Sequence, residues 1–147
     1  MSKDIRVAIV DDHPLIREVM SAVFTGQSGF VLVGTASEAP EAIALAQRVK
    51  PDVLLLDFHL PNASARETIQ KLCEVAPETR ILILTSSTED EDVRTAVVSG
   101  VHGFLTKHAE LDDILEAVRA VASGEVWLDR TAQRALGIAA YPDPKVP

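Results

Sequence analysis

Three aspartates, a threonine and a lysine stand where chemistry could follow. Asp11 and Asp12 come directly after the apolar run IRVAIV, and Asp57 directly after VLLL. Thr85, with Ser86 and Ser87, follows ILIL, and Thr106-Lys107 follows GFL. Three carboxylates drawn together repel one another, and a hard divalent cation relieves that repulsion. Mg2+ fits best, because it takes oxygen ligands from one or two carboxylates and keeps places for water and phosphate. A cation, a carboxylate nucleophile, a hydroxyl donor and an ammonium together make a phosphoryl-transfer site. In it, Asp57 attacks phosphorus in line while the cation and Lys107 hold the equatorial oxygens.

Each feature alone has a plainer reading. An Asp pair after a strand caps a helix, a Thr at a strand end follows β propensity, and a lone Lys is solvated. Their joint placement singles the set out, since four polar features each follow an apolar β run. His13, His59, His102 and His108 lack metal-ligand spacing and read as incidental. Cys73, the sole cysteine, falls on an apolar helical stripe and reads as core filler.

The elements that must position these residues alternate. Strand candidates are Ile5–Val10, Phe30–Thr35, Asp52–Leu56, Arg80–Leu84 and His102–Leu105. VAIV, VLLL and ILIL are continuously apolar, as parallel strands buried on both faces must be. Between them run stripes of helical period: Ala42, Leu45, Ala46, Val49; Ile69, Leu72, Cys73, Ala76; Val93, Ala96, Val97; and Leu111, Ile114, Leu115, Val118, Ala122. Ser64-x-x-Glu67 and Thr88-x-x-Glu91 have capping-box spacing, and Gly100 and Gly124 stand where helices should stop. Alternating β and α elements imply a parallel sheet between two helical layers. In such a sheet the strand C-termini share one edge, where ligands bind, so the polar residues converge there.

The chain has 147 residues, 47% of them hydrophobic and 24% charged, enough for one domain with a buried core. One cysteine forbids an internal disulfide and favours a reducing compartment. No apolar run approaches the ~18 residues of a membrane span, and the start resembles no signal peptide, which gives a cytoplasmic reading. The net charge is −8. Residues 89–125 hold nine acids against Arg94, Lys107 and Arg119, a surplus of six. Such a chain repels phosphate backbones, which argues against its binding nucleic acid by itself. After Gly124 come a short apolar strip (Val126–Leu128), a brief helix over Asp129–Ile138 capped by Asp129, and a tail whose Pro142, Pro144 and Pro147 read as an extended linker.

The motifs IVDDHP, LLLDFHLP, ILTSS and GFLTK together resemble the receiver domain of two-component response regulators over residues 4–125. VDDHPLIRE and SGVHGFLTKHAELDDILEAVRAVASGEVWLD resemble the NarL/FixJ subfamily in particular. The resemblance implies a flavodoxin-like, doubly wound five-stranded parallel sheet of order 2-1-3-4-5, with helices on both faces. It divides the chain into a receiver domain (1–125) and a linker segment with a short helix (126–147), the output domain being absent. Asp57 would be the phosphoacceptor. Mg2+ would be held by Asp12 directly, by Asp11 mainly through water, by Asp57 and by the backbone carbonyl of His59. Thr85 and Lys107 would bind phosphoryl oxygens, and Thr85 with Phe104 would form the switch. Implied partners are a sensor histidine kinase and, on phosphorylation, a second copy. DNA would be reached only through a missing helix-turn-helix domain, to control transcription.

The family's usual Gly after the loop Pro, and its Asp-Gly shortly afterwards, are here Asn62, Ser64 and Ala65. Asn tolerates positive φ well enough for the turn to survive. Phe104 has no hydroxyl, so a switch there works by packing alone. His59 and Ser87, two residues beyond the acceptor and the Thr, stand where side chains gate attacking water. The expected output face is the fourth helix, fifth strand and fifth helix, with a helix 1–helix 5 face as the alternative for dimers. On this reading the chain is a signalling module, not an enzyme acting on a free metabolite. The alternative, a small Mg2+-dependent phosphatase with an aspartyl nucleophile, wants a second Asp where His59 stands. A flavin module would need a phosphate loop where Asp11-Asp12 repel phosphate.

Overall fold

The apolar runs become the strands of one parallel sheet. A computed structural model describes residues 3–86 and 89–137. In chain order the elements are β1 (Ile5–Val10), α1 (Pro14–Gly26), β2 (Phe30–Ala36), α2 (Ala39–Val49), β3 (Val53–Leu56), α3 (Ala65–Val75), β4 (Arg80–Thr85), α4 (Asp90–Val98), β5 (Gly103–Thr106), α5 (Leu111–Ala122), β6 (Trp127–Leu128) and α6 (Arg130–Leu136). The sheet order is β2-β1-β3-β4-β5-β6, and every neighbouring pair is parallel.

Period 2 within continuously apolar strands feeds two cores at once. Ala8, Val10, Leu54, Leu56, Ile81, Ile83 and Phe104 face α2, α3, α4 and α6. Val7, Ile9, Val53, Leu55, Leu82, Leu84 and Leu105 face α1 and α5. All of these are at most 6% exposed. Burying one such aliphatic side chain is worth roughly 1.5–3 kcal/mol, so a charge at any of these positions breaks a face.

Helix boundaries follow local chemistry. Ser64 caps α3, its hydroxyl accepting from Glu67 N–H at 3.3 Å. Asp129 caps α6 by accepting from Ala132 N–H at 2.9 Å. Gly100 and Gly124 adopt φ of 105° and 96° after α4 and α5, where a Cβ would be strained. Thr88 and Ser87, the proline-rich tail and Ile138 lie outside the described residues.

The sheet has one strand more than the five expected. Trp127 and Leu128 pair with Gly103 and Phe104. Two residues carry too little pattern to register as a strand. They dock because Gly103 leaves room: a Cβ there would stand 3.2 Å from Trp127 O. The short helix then turns back, burying Ala132 and Ala135 in the same core as Val93, Ala96 and Phe104. Among the described residues no helix is long and apolar enough to cross a membrane.

Candidate functional site

The sheet's C-terminal edge gathers Asp11, Asp12, Asp57, Thr85 and Lys107, each at or just past a strand end, as their spacing required. Backbone bonds fix the edge. Asp11 N–H donates to Ala36 O at 3.1 Å, Asp57 N–H to Val10 O at 2.9 Å and Lys107 N–H to Thr85 O at 2.7 Å. Asp11 and Asp57 are buried, and Thr85 is fully buried. Phe104 is fully buried beside them in β5.

Lys107 is the centre of the arrangement. Its Nζ lies 2.8 Å from Asp11 Oδ2 and 3.2 Å from Asp57 Oδ2. The other oxygen of each carboxylate is also engaged. Asp57 Oδ1 accepts from His59 N–H at 3.2 Å. Asp11 Oδ1 accepts from His13 N–H at 2.9 Å and from His13 Nδ1–H at 2.8 Å, while Arg17 Nη1 donates to Asp11 O at 2.7 Å. Asp12 differs. Its Oδ1 is buried and makes no hydrogen bond, although His13 Nδ1 stands 3.3 Å away.

The titration behaviour follows from this wiring. Burial raises the Asp57 carboxyl, and the neighbouring Asp11 charge adds to it. The Lys107 charge and the His59 N–H only partly compensate, so Asp57 sits above the ordinary carboxylate range. Burial acts on Asp11 in the same sense, but hydrogen bonds from Lys107 and His13 outweigh it and hold Asp11 low. Burial would lower Lys107, yet its two carboxylate partners keep it above the usual ammonium value. The ammonium therefore stays charged, and of its two carboxylate partners Asp57 is the more readily protonated.

Asp11, Asp12, His13 and Asp57 place one potential ligand atom each within 4.8 Å of one another. An oxygen-rich, net-negative pocket with one buried, unbonded carboxylate oxygen suits a hard divalent cation. Two side-chain contacts went unrecognised in the sequence. His13, expected to be incidental, orients Asp11 from the adjacent turn, and its place beside an Asp pair at a strand end was the available signal. His59 Nε2 pairs with Asp92 Oδ2 at 3.0 Å, tying the loop after Asp57 to the first turn of α4. Nothing local in the sequence announces a contact over 33 positions. His102 is structural: its Nδ1 accepts from Ile81 N–H at 3.0 Å. Asn62, in the same loop as His59, adopts φ 55°, the conformation a Gly would otherwise supply.

The family model described as response regulator receiver domain matches residues 7–119. The chain is 35% identical over 122 residues to the nitrate/nitrite response regulator NarL of Escherichia coli K12, covering 83% of this chain and 56% of that one. It is 38% identical over 126 residues to the transcriptional regulatory protein YxjL of Bacillus subtilis, covering 85% and 58% respectively. The chain thus spans less than two thirds of these relatives. Among solved structures, the signal receiver domain of a NarL response regulator from Mycobacterium tuberculosis superposes with a TM-score of 0.79 at 30% identity, covering 84% of this chain and 100% of that one. A LuxR-family two-component response regulator from Aurantimonas sp. SI85-9A1 gives a TM-score of 0.85 at 25% identity, covering 92% and 96%.

Proposed function

The chain belongs to the response regulator receiver family, of the NarL/LuxR type, and on that premise we propose that it accepts a phosphoryl group on Asp57 from a phosphohistidine of a sensor kinase. The observation that carries this reading is the wiring of Asp57. Its carboxylate is buried at the strand edge with one oxygen on Lys107 and the other on a backbone N–H.

An Asp57 oxygen attacks phosphorus in line, the P–O bond forming as the P–N bond of the donor breaks. The P–N electron pair leaves with the donor imidazole, which retains a proton and departs neutral. Lys107, freed from sharing two carboxylates, follows the negative charge onto a phosphoryl oxygen. The Thr85 hydroxyl takes another. Asp12 would hold Mg2+ directly, Asp11 through water, and Asp57 and the His59 carbonyl would complete the protein ligands; the unbonded Asp12 oxygen supports that fit. When bound, the cation neutralises charge between the carboxylates and the incoming phosphoryl group. His13 keeps Asp11 in place throughout.

The new dianion draws Thr85 inward and lets Phe104 repack, altering the surface of α4, β5 and α5. Leu15 and Val19 on α1 and Leu111 on α5 are exposed apolar residues suited to a second copy. Within a longer protein the receiver, to about residue 125, would act through the segment that follows on a DNA-binding output domain, in the cytoplasm. It turns over no free metabolite beyond losing its own phosphoryl group.

Incubation with acetyl phosphate and Mg2+ followed by intact-mass measurement tests the proposal. The parent gains one phosphoryl group, and Asp57→Asn gains none. An equal adduct on the Asn variant, or no adduct from either acetyl phosphate or a phosphorylated kinase, overturns it.

A further inference from the structure

One side chain joins the last helix to the strand that carries Lys107. Asp129 Oδ1 accepts from Ala132 N–H at 2.9 Å, which caps α6. Its Oδ2 accepts from Thr106 N–H at 3.0 Å, one residue before Lys107. Its own N–H donates to Phe104 O at 3.3 Å. A single residue thus holds the start of α6 and both ends of the Phe104–Thr106 segment. Gln133 reinforces the joint from the next turn, its side-chain amide donating to Leu128 O at 2.8 Å.

The rest of α6 lies on the face that this segment supports. Ala132 and Ala135 are buried to 0% and 2% exposure, in one core with Val93 and Ala96 of α4 and with Phe104. Small side chains on both helices let them approach closely, so a shift of β5 or α4 by a fraction of an ångström disturbs the contact.

We propose that Asp129 is a positioning residue that couples the docking of α6 to the state of the Lys107–Asp57 site. The proposal rests on the receiver reading, because it takes the site to have two states. Lys107 N–H donates to Thr85 O at 2.7 Å, so a Thr85 drawn toward a phosphoryl oxygen takes the end of β5 with it. Thr106 N–H moves with it, and the Asp129 bond to that N–H lengthens or bends. Coupling of this kind is reciprocal: whatever factor site occupancy imposes on α6 docking, loss of the α6 joint imposes on occupancy. The segment leaving α6 would then receive the signal through one carboxylate.

Hydrogen exchange on the full chain tests this, with Mg2+ and beryllofluoride as the probe that occupies the site. In the parent, the probe changes exchange both at 85–107 and at 130–136. Asp129→Asn retains an oxygen to cap α6 but presents an amide donor toward Thr106 N–H. It keeps α6 protection within about twofold, since Asn caps as well as Asp. In that variant the probe still changes 85–107 but no longer changes 130–136. Asp129→Ala, lacking the cap as well, raises exchange at 130–136 by about fivefold without any probe. Both variants alter probe affinity by the factor that the probe imposes on α6 in the parent. If the probe changes 85–107 in the parent but leaves 130–136 untouched, or if α6 responds equally in Asp129→Asn, the coupling is refuted while the receiver reading stands. If the probe changes nothing at 85–107, the receiver reading fails and takes the coupling with it.

Discussion

Lys107 Nζ lies 3.2 Å from Asp57 Oδ2 across 50 positions of sequence, and the same nitrogen holds Asp11 at 2.8 Å. The ammonium thus occupies, in charge if not in volume, the place a divalent cation would take among these carboxylates. Burial weakens screening, so the two cations compete.

Lys107→Met should therefore tighten Mg2+ while impairing phosphoryl acceptance. Removing one positive charge from beside two ligands is expected to raise Mg2+ affinity about tenfold, or ~1.4 kcal/mol, a conservative fraction of the ~4 kcal/mol that a 4 Å pair is worth at moderate dielectric. Titration calorimetry reads the affinity, and adduct formation from acetyl phosphate reads the acceptance. Unchanged or weaker Mg2+ binding in the variant would show that Lys107 does not compete for this pocket.

Asp11 and Asp12 are adjacent and chemically identical, yet their substitution should not be equivalent. Both oxygens of Asp11 are engaged, by His13 and by Lys107, whereas Asp12 Oδ1 is buried with no hydrogen bond. Asp12→Asn should cost most of the Mg2+ affinity, and Asp11→Asn less. Without metal the order reverses in stability. Asp12→Asn relieves a half-buried carboxylate with one buried oxygen left without a hydrogen bond, and should be neutral or stabilising by ~1 kcal/mol, while Asp11→Asn leaves Lys107 with a poorer partner and destabilises. Denaturant midpoints with and without Mg2+ separate the two effects; equal behaviour of the two variants would contradict the assignment of Asp12 as the direct ligand.

Much of this was legible in the residues because strand burial and strand-end chemistry are local properties. VLLL can hardly be anything but a doubly buried strand, and an aspartate after it must face the open edge. Ser64 and Asp129 announced their caps by type and position. What escaped were relations made by tertiary contact. The His59–Asp92 pair spans two elements, and β6 is two residues long. The histidines show the limit most clearly. By type they were interchangeable, but His13 orients a carboxylate, His59 ties a loop to α4 and His102 replaces a strand hydrogen bond. Only the neighbours distinguish those roles.

Two glycines on strands differ in what crowds them. A Cβ on Gly34 would meet only Leu45, its Cδ1 at 2.6 Å, a flexible tip that can swing away. A Cβ on Gly103 would meet Leu82 Cδ1 at 2.5 Å, Val121 Cγ1 at 3.1 Å and Trp127 O at 3.2 Å, the last a backbone atom of β6. Gly103→Ala should cost about 2–3 kcal/mol and Gly34→Ala about 1 kcal/mol, by the usual penalty for overpacking. The Gly103 variant should also change the Trp127 fluorescence spectrum, because β6 is pushed off the sheet. Equal losses of stability would mean that the Trp127 carbonyl yields as easily as a leucine methyl.

His102 gives the fold an acid sensitivity separable from that of the carboxylate site. Burial, assisted by the Arg80 charge, holds its imidazole below the ordinary value of 6.5. The geometry agrees, because Nδ1 must be unprotonated to accept from Ile81 N–H. Its folded pKa is thus depressed relative to the unfolded chain, where the ring protonates freely below 6.5. The unfolded state binds the extra proton first, so the contribution is complete above about 6.5 and is lost as pH falls toward the folded value. One proton sets the limiting slope at about 1.4 kcal/mol per pH unit. His102→Asn offers an amide oxygen to Ile81 N–H and does not titrate. It should be less stable than the parent at pH 7.5, where the ring packs best, and should lose less stability between pH 7.5 and 5.5. The two chains differ at this one position, so a difference between their stability curves belongs to residue 102. Parallel stability curves for parent and variant over that interval would remove His102 as the source.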